Sequence, residues 1–224
     1  MSRPAVRLGL LLFLLAVGPG LAAPPSGYFL KVQVGGHLLT QDSGLVPAGI
    51  PDSSESPGGL AVAFAVMKRT GERFCWGAGL SFEGNQVDVG PDLGRAGVQT
   101  FGVVPLRVTG QIEYWLRRAD PAAPRAIPYL WAAAGWTIHG VGTEIEWSSY
   151  PPPGAPAGLT LDDSPALGVG IGFHTPSTGN ARFSAELSLQ WDQGDYTLYL
   201  ADAPDRHGRF NLSGVYLLIG CTIG

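Results

Sequence analysis

The stretch Arg182-Phe183-Ser184-Ala185-Glu186-Leu187-Ser188-Leu189-Gln190-Trp191 decides the fold. Phe183, Ala185, Leu187, Leu189 and Trp191 alternate with Arg182, Ser184, Glu186, Ser188 and Gln190, and a period of two is sorted onto opposite faces by a strand, not by a helix. One face is apolar and the other polar and charged. In a soluble sheet the apolar face turns to a core, whereas in a strand crossing a bilayer it turns to lipid and the polar face lines a lumen. The remainder of the chain bears on which of these applies.

Seven further segments read as strands, so that the series runs 27–38, 59–67, 73–83, 101–116, 127–139, 166–174, 182–191 and 210–223. Most approach the roughly 9–11 residues that a tilted strand needs to cross a bilayer. Gly at 33 and Pro at 19 are abundant and only 14% of the residues are charged, a mix suited to strands joined by irregular connections. The connections alternate long and short without exception, beginning with a long one, as expected of a barrel with both termini on the short-turn side. Ahead of the first strand, residues 1–22 carry Arg3 and Arg7, an apolar run over 8–17 and then small residues, the pattern of a cleavable export signal. Cleavage after Ala22 leaves 23–224 as one all-β domain.

Charge separates the two ends. The long connections hold Asp42, Asp52, Glu55, Asp88, Asp92, Glu144, Glu146, Asp162, Asp163, Asp192, Asp195, Asp202 and Asp205 against Arg95 and Arg206. The short turns and their edges hold Lys68, Arg69, Arg73, Arg117, Arg118 and Arg125 against Glu72 and Asp120. Loop polarity alone does not sort charge by sign; facing different compartments does. Strand alternation then sends Lys31, Arg107 and Arg182 to the same side as Glu83, Glu113 and Glu186. Charges there are costly in an apolar core unless paired. In a lumen they form a structural charge network, and because an eight-stranded barrel has an interior just wide enough for side chains, the expected result is a plugged barrel without a large pore. Tyr28, Trp76, Phe82, Tyr114, Trp191 and Tyr216 fall towards strand ends, where an interfacial aromatic girdle is expected.

Two segments carry a resemblance. Val104-Pro105-Leu106-Arg107-Val108 leading into Glu113-Tyr114-Trp115-Leu116, a short turn, and then Pro128-Tyr129-Leu130-Trp131-Ala132-Ala133-Ala134-Gly135-Trp136 resembles the Pro-led strand, turn and Pro-Tyr strand of the small eight-stranded outer-membrane barrels, of the OmpA-membrane-domain and OmpX type. Leu167-Gly168-Val169-Gly170-Ile171-Gly172-Phe173 is similar to the glycine-alternating strand that follows. The resemblance implies an eight-stranded antiparallel up-and-down transmembrane β-barrel, integral to a bacterial outer membrane, with lipid, lipopolysaccharide and the barrel assembly machinery as its partners. The chain departs from that pattern in ending Gly220-Cys221-Thr222-Ile223-Gly224 instead of in an aromatic residue.

Catalytic signals are thin. His37, His139, His174 and His207 have no Ser two positions away, the spacing of the lipid A deacylases of this fold, and no base is placed beside a hydroxyl nucleophile, so the chain reads as non-enzymatic and without a cofactor. Glu144, Glu146, Asp162 and Asp163 share one long connection and offer hard oxygen ligands for cation contacts, without the spacing of a dedicated metal site. Cys75 and Cys221 lie on strands that are not neighbours in an up-and-down order, which predicts two buried, free thiols. The Pro-rich stretch 148–156 suits either stiff display of a surface or a disordered spacer with no role of its own. Nucleic acid is excluded as a partner: the 14 Lys and Arg, less Arg3 and Arg7, stand against 18 Asp and Glu. Two functions remain: a membrane-embedded barrel that anchors the envelope or presents binding loops, and a soluble lipocalin-like barrel holding a small apolar ligand, which needs the opposite facing of the same strands.

Overall fold

The computed structural model describes residues 27–40, 43–45, 54–55, 58–89, 99–118, 125–145, 154, 156–176 and 181–224. The expected export signal, Asp42, Asp52, Asp92, Asp120, Glu146 and most of the Pro-rich stretch lie outside the described residues. Among the described residues twelve strands follow in order: β1 (Tyr28–Leu39), β2 (Ser54–Glu55), β3 (Gly58–Thr70), β4 (Phe74–Glu83), β5 (Asn85–Val89), β6 (Gln99–Trp115), β7 (Ile127–Ile145), β8 (Pro156–Leu161), β9 (Ser164–His174), β10 (Ala181–Leu200), β11 (Arg206–Asn211) and β12 (Gly214–Ile223).

Eight of them close a ring in the order β1, β3, β4, β6, β7, β9, β10, β12 and back to β1, every pairing antiparallel. Closure removes the open sheet edges that bare N–H and C=O groups would expose to lipid. The other four are prolongations of ring strands at the long-loop end. β5 continues β4 on the same partner strand, from Phe82↔Leu106 to Asn85↔Val103, and the ladder lapses between them where Pro105 has no N–H to offer. β11 continues β12 in one register along β10, from Gly214↔Gln190 to Asn211↔Gln193. β8 continues β9 with one extra residue around Asp162-Asp163, shown by Ala166↔Asp192 giving way to Leu161↔Tyr196, a bulge. The strands at this end are therefore longer than the sequence predicts. Asp88, Glu144, Asp192 and Asp195 belong to strands, not to loops, because the period of two runs past the point where apolarity fades.

Facing follows the alternation. Outward positions carry Leu60, Val66, Val108, Leu130, Ile138, Leu167, Ile171, Leu187 and Leu217, each between 46% and 60% exposed. Trp76, Tyr114, Phe173 and Phe183 at the short-turn end and Trp136 and Trp191 nearer the other also point outward. Tyr216 does not join this girdle; it is buried in the lumen, being on the even, inward side of β12. Inward positions carry Lys31, Glu83, Arg107, Glu113 and Glu186, all 4% exposed or less. This is the sense required by a barrel in lipid, and it is opposite to that of a soluble ligand-holding barrel.

The glycine-alternating strand β9 has a packing reason. Gly168, Gly170 and Gly172 face inward, and a Cβ on any of them would meet an aromatic ring of β7 at 2.4–2.9 Å, Trp131 at the first two and Tyr129 at the third. The bare backbone of β9 is the space those rings occupy, while Leu167, Val169, Ile171 and Phe173 keep the outer face apolar.

Candidate functional site in the lumen

The lumen is filled in layers, set by which inward positions of neighbouring strands share a level. Nearest the short turns lies an aromatic floor of Phe29, Met67, Cys75, Trp115, Ile127 and Tyr129. Above it Lys31 of β1 places its Nζ 2.7 Å from Glu113 Oε1 on β6 and 2.6 Å from Glu186 Oε2 on β10. Tyr129 donates its hydroxyl to Glu186 Oε2 at 3.0 Å, Trp115 Nε1 donates to Glu113 Oε2 at 3.4 Å, and His174 Nε2 stands 3.3 Å from the same oxygen. The His174 ring stacks on Tyr129 with centroids 4.6 Å apart.

A second charged layer sits towards the long loops. Arg107 pairs with Glu83 and, through Nη2, with Asp192 Oδ2 at 3.1 Å. Its Nη1 donates to the Tyr216 hydroxyl at 3.2 Å, and that hydroxyl donates to Glu83 Oε2 at 2.5 Å. Ser164 donates to Asp192 Oδ1, and His139 Nε2 lies 3.2 Å from Asp192 Oδ2. His37 Nε2 contacts Asn85 Oδ1 at 2.7 Å and its ring stacks on Tyr216. Between the layers a cavity of about 40 Å³ is lined by Lys31, Gln33, Arg107, Gln111, Glu186 and Gln190 among others. That is room for roughly two or three water molecules and no more. Beyond the second layer an apolar cluster including Leu45, Phe101, Leu159, Leu198, Phe210 and Leu212 fills the long-loop end.

A buried charge is tolerable only with an opposite charge and hydrogen bonds to its remaining atoms. The lower layer meets that condition, and in both layers tyrosine, histidine, serine and tryptophan groups serve carboxylate oxygens, but in the upper layer the Arg107 Nε is buried without a hydrogen-bond partner.

The barrel fold has solved counterparts. OprG from Pseudomonas aeruginosa superposes with a TM-score of 0.58 at 14% identity, covering 88% of this chain and 94% of that one. Neisserial surface protein A gives 0.52 at 14%, covering 88% and 97%, and the outer membrane protein AlkL gives 0.50 at 12%, covering 92% and 96%. The fold is that of the small outer-membrane β-barrels. No protein-family model and no curated protein matches the sequence.

Within this outer-membrane barrel fold, five of the six inward charges expected from the sequence, Lys31, Glu83, Arg107, Glu113 and Glu186, meet in the two layers. Arg182 does not. It faces inward but one level lower, with its guanidinium carbon 5.6 Å from the Trp115 ring and no carboxylate partner among the described residues. Asp192, His37, His139, His174, Tyr129 and Tyr216 are lumen groups that the sequence reading did not select. Their signal is parity alone: each lies on the inward register of its strand, and Asp192 is the next inward position after Gln190 on β10.

Ser164 and His139 both bind Asp192 and not each other, so the two do not form a hydroxyl–imidazole pair. Asp162 and Asp163 are exposed at the bulge, where Asp163 Oδ1 accepts the His139 backbone N–H at 3.2 Å. Glu144 lies on β7, Glu146 falls outside the described residues, and among the described residues no cluster of three His, Cys, Asp or Glu could hold a metal ion. Cys75 and Cys221 are both free, but only Cys75 is buried; Cys221 shares the outward parity of Leu217 and Ile219 and is exposed.

Proposed function

We propose that this protein is an integral outer-membrane barrel with a plugged lumen and no catalytic activity, serving to anchor the envelope or to present its long loops for binding. The observation that carries the reading is the inverted facing: charged side chains buried inside, with a continuous band of large apolar side chains exposed outside. A band of that extent is stable against acyl chains and aggregates in water. The layered lumen supports the plug, since the cavity between the two ion-pair layers holds only a few waters.

In this reading the acidic long-loop end faces outward to lipopolysaccharide, and Glu144, Glu146, Asp162 and Asp163 contact its phosphates through divalent cations. The basic short-turn end faces the periplasm, from which the barrel assembly machinery inserts the chain. Fractionation of expressed protein, followed by electrophoresis with and without boiling, tests the reading. Outer-membrane enrichment with a heat-dependent mobility shift is the expected outcome; a soluble periplasmic protein without the shift excludes it. In planar bilayers the purified barrel is expected to give no stable conductance, and a steady open channel contradicts the plug.

A further inference from the structure

The short-turn mouth of the lumen carries positive charge that nothing described neutralises. Arg69 on β3, Arg73 in the turn after it, Arg117 past the end of β6, Arg125 ahead of β7 and Arg182 on β10 all fall on the inward parity of their strands, set by the buried Met67, Cys75, Trp115, Ile127 and Ser184. Arg69 and Arg182 lie on β3 and β10 and the other three flank β4, β6 and β7, so closure of the ring gathers them at one rim. Arg69 and Arg182 lie against the same indole, with guanidinium carbons 4.8 and 5.6 Å from the Trp115 ring. Arg182 has no ion pair among the described residues, and the charged neighbour that bears on it is Arg69, of like sign. Arg69 spends two donors on the Gly71 and Glu72 carbonyls, and the Arg73 Nε is buried without a partner. The one acid at this end among the described residues, Glu72, is exposed and paired with Arg118 at 2.6 Å.

Like charges held together over a hydrophobic floor repel one another, and an oxyanion between them removes the repulsion and accepts their remaining N–H groups in the forked geometry that guanidinium offers. The mouth of an eight-stranded barrel is narrow, which favours a compact anion over an extended polymer. We propose that the short-turn mouth is a binding site for a phosphate-bearing dianion, clamped between Arg69 and Arg182 above Trp115. The Trp115 indole is held from below by its bond to Glu113, so occupancy of the mouth bears directly on the lower charged layer. The compartment from which the anion comes rests on the proposed orientation; the binding chemistry does not.

The test uses the full barrel refolded into phosphatidylcholine nanodiscs, with folding checked by the gel mobility shift. Inorganic phosphate and glycerol phosphate are titrated by calorimetry and by the chemical shift of the Trp115 indole N–H. Saturable binding is expected, weakened about tenfold or more in Arg182→Gln and in Arg69→Gln, the loss that follows removal of one charge-assisted bond, and unchanged in Arg118→Gln. A parallel series with phosphatidic acid in the nanodisc separates sources: a Trp115 shift only there identifies a lipid headgroup, and a shift with soluble phosphate in pure phosphatidylcholine identifies a free anion. Absence of a saturable response in both series, or equal affinity in the folded Arg69 and Arg182 variants, overturns the proposal while leaving the barrel reading intact. Equal displacement by chloride overturns it as well, because that marks general ion exchange.

Discussion

Lys31 is the residue on which the lower lumen turns, because a single ammonium serves two carboxylates 2.7 and 2.6 Å away. Lys31→Met leaves Glu113 and Glu186 buried without their cation, and breaking a buried pair in this way costs on the order of 3–5 kcal/mol. Urea unfolding of the barrel from lipid vesicles, followed by tryptophan fluorescence, is expected to show a loss of that size. Adding Glu186→Gln to Lys31→Met is expected to restore part of it, since one uncompensated charge is then gone; no recovery would count against pairing as the cause. A different residue-scale effect belongs to β9. Gly172→Ala drives a methyl into the Tyr129 ring, where the Cβ would stand 2.4 Å from Cζ. Overpacking of this kind costs about 1–3 kcal/mol, and in the same assay the variant is expected to unfold at lower urea than Lys31-intact protein carrying Ala at the outward neighbour Ile171.

At the scale of the element, each ring strand is a two-sided object whose outer face is defined by solvent and not by a partner. Leu187 lies midway along the membrane-crossing part of β10, opposite Ile171 and Leu217 on the adjacent strands. Leu187→Arg on that face is expected to cost roughly 2–4 kcal/mol in lipid vesicles, the penalty for a cation near the bilayer midplane. A soluble barrel would tolerate the same change on its exterior, so a negligible cost speaks against lipid contact. The thiols report strand faces chemically. Cys221 is on the outer face of β12 and Cys75 on the inner face of β4. A lipid-permeant maleimide is therefore expected to label one thiol per folded chain and two after unfolding, with mass spectrometry placing the first label on Cys221. Labelling of Cys75 in the folded protein contradicts the sealed floor around it.

Across the whole molecule, the ring, the two ion-pair layers and the apolar cluster at the long-loop end together make up the plug of the proposed reading. Opening any level exposes the next, which is why a stable conductance is not expected even when one layer is weakened. Much of this was written along the chain. The period of two in 182–191, the alternating connection lengths and the sorted charges determine an eight-stranded antiparallel barrel with its apolar face outward, because strand parity is a local property that needs no knowledge of partners. Parity also determines that Lys31, Glu83, Arg107, Glu113 and Glu186 point inward. What it cannot supply is level along the barrel axis. Register between strands, closure of β12 on β1 and the continuation of β10 to Leu200 decide which inward residues meet, and they place Asp192 beside Arg107, Tyr216 in the lumen instead of the girdle, and Arg182 one level below the acids. The physical reason is that facing is set within a strand by backbone geometry, whereas pairing among buried charges is set between strands separated by up to 155 positions in the chain, as Lys31 and Glu186 are.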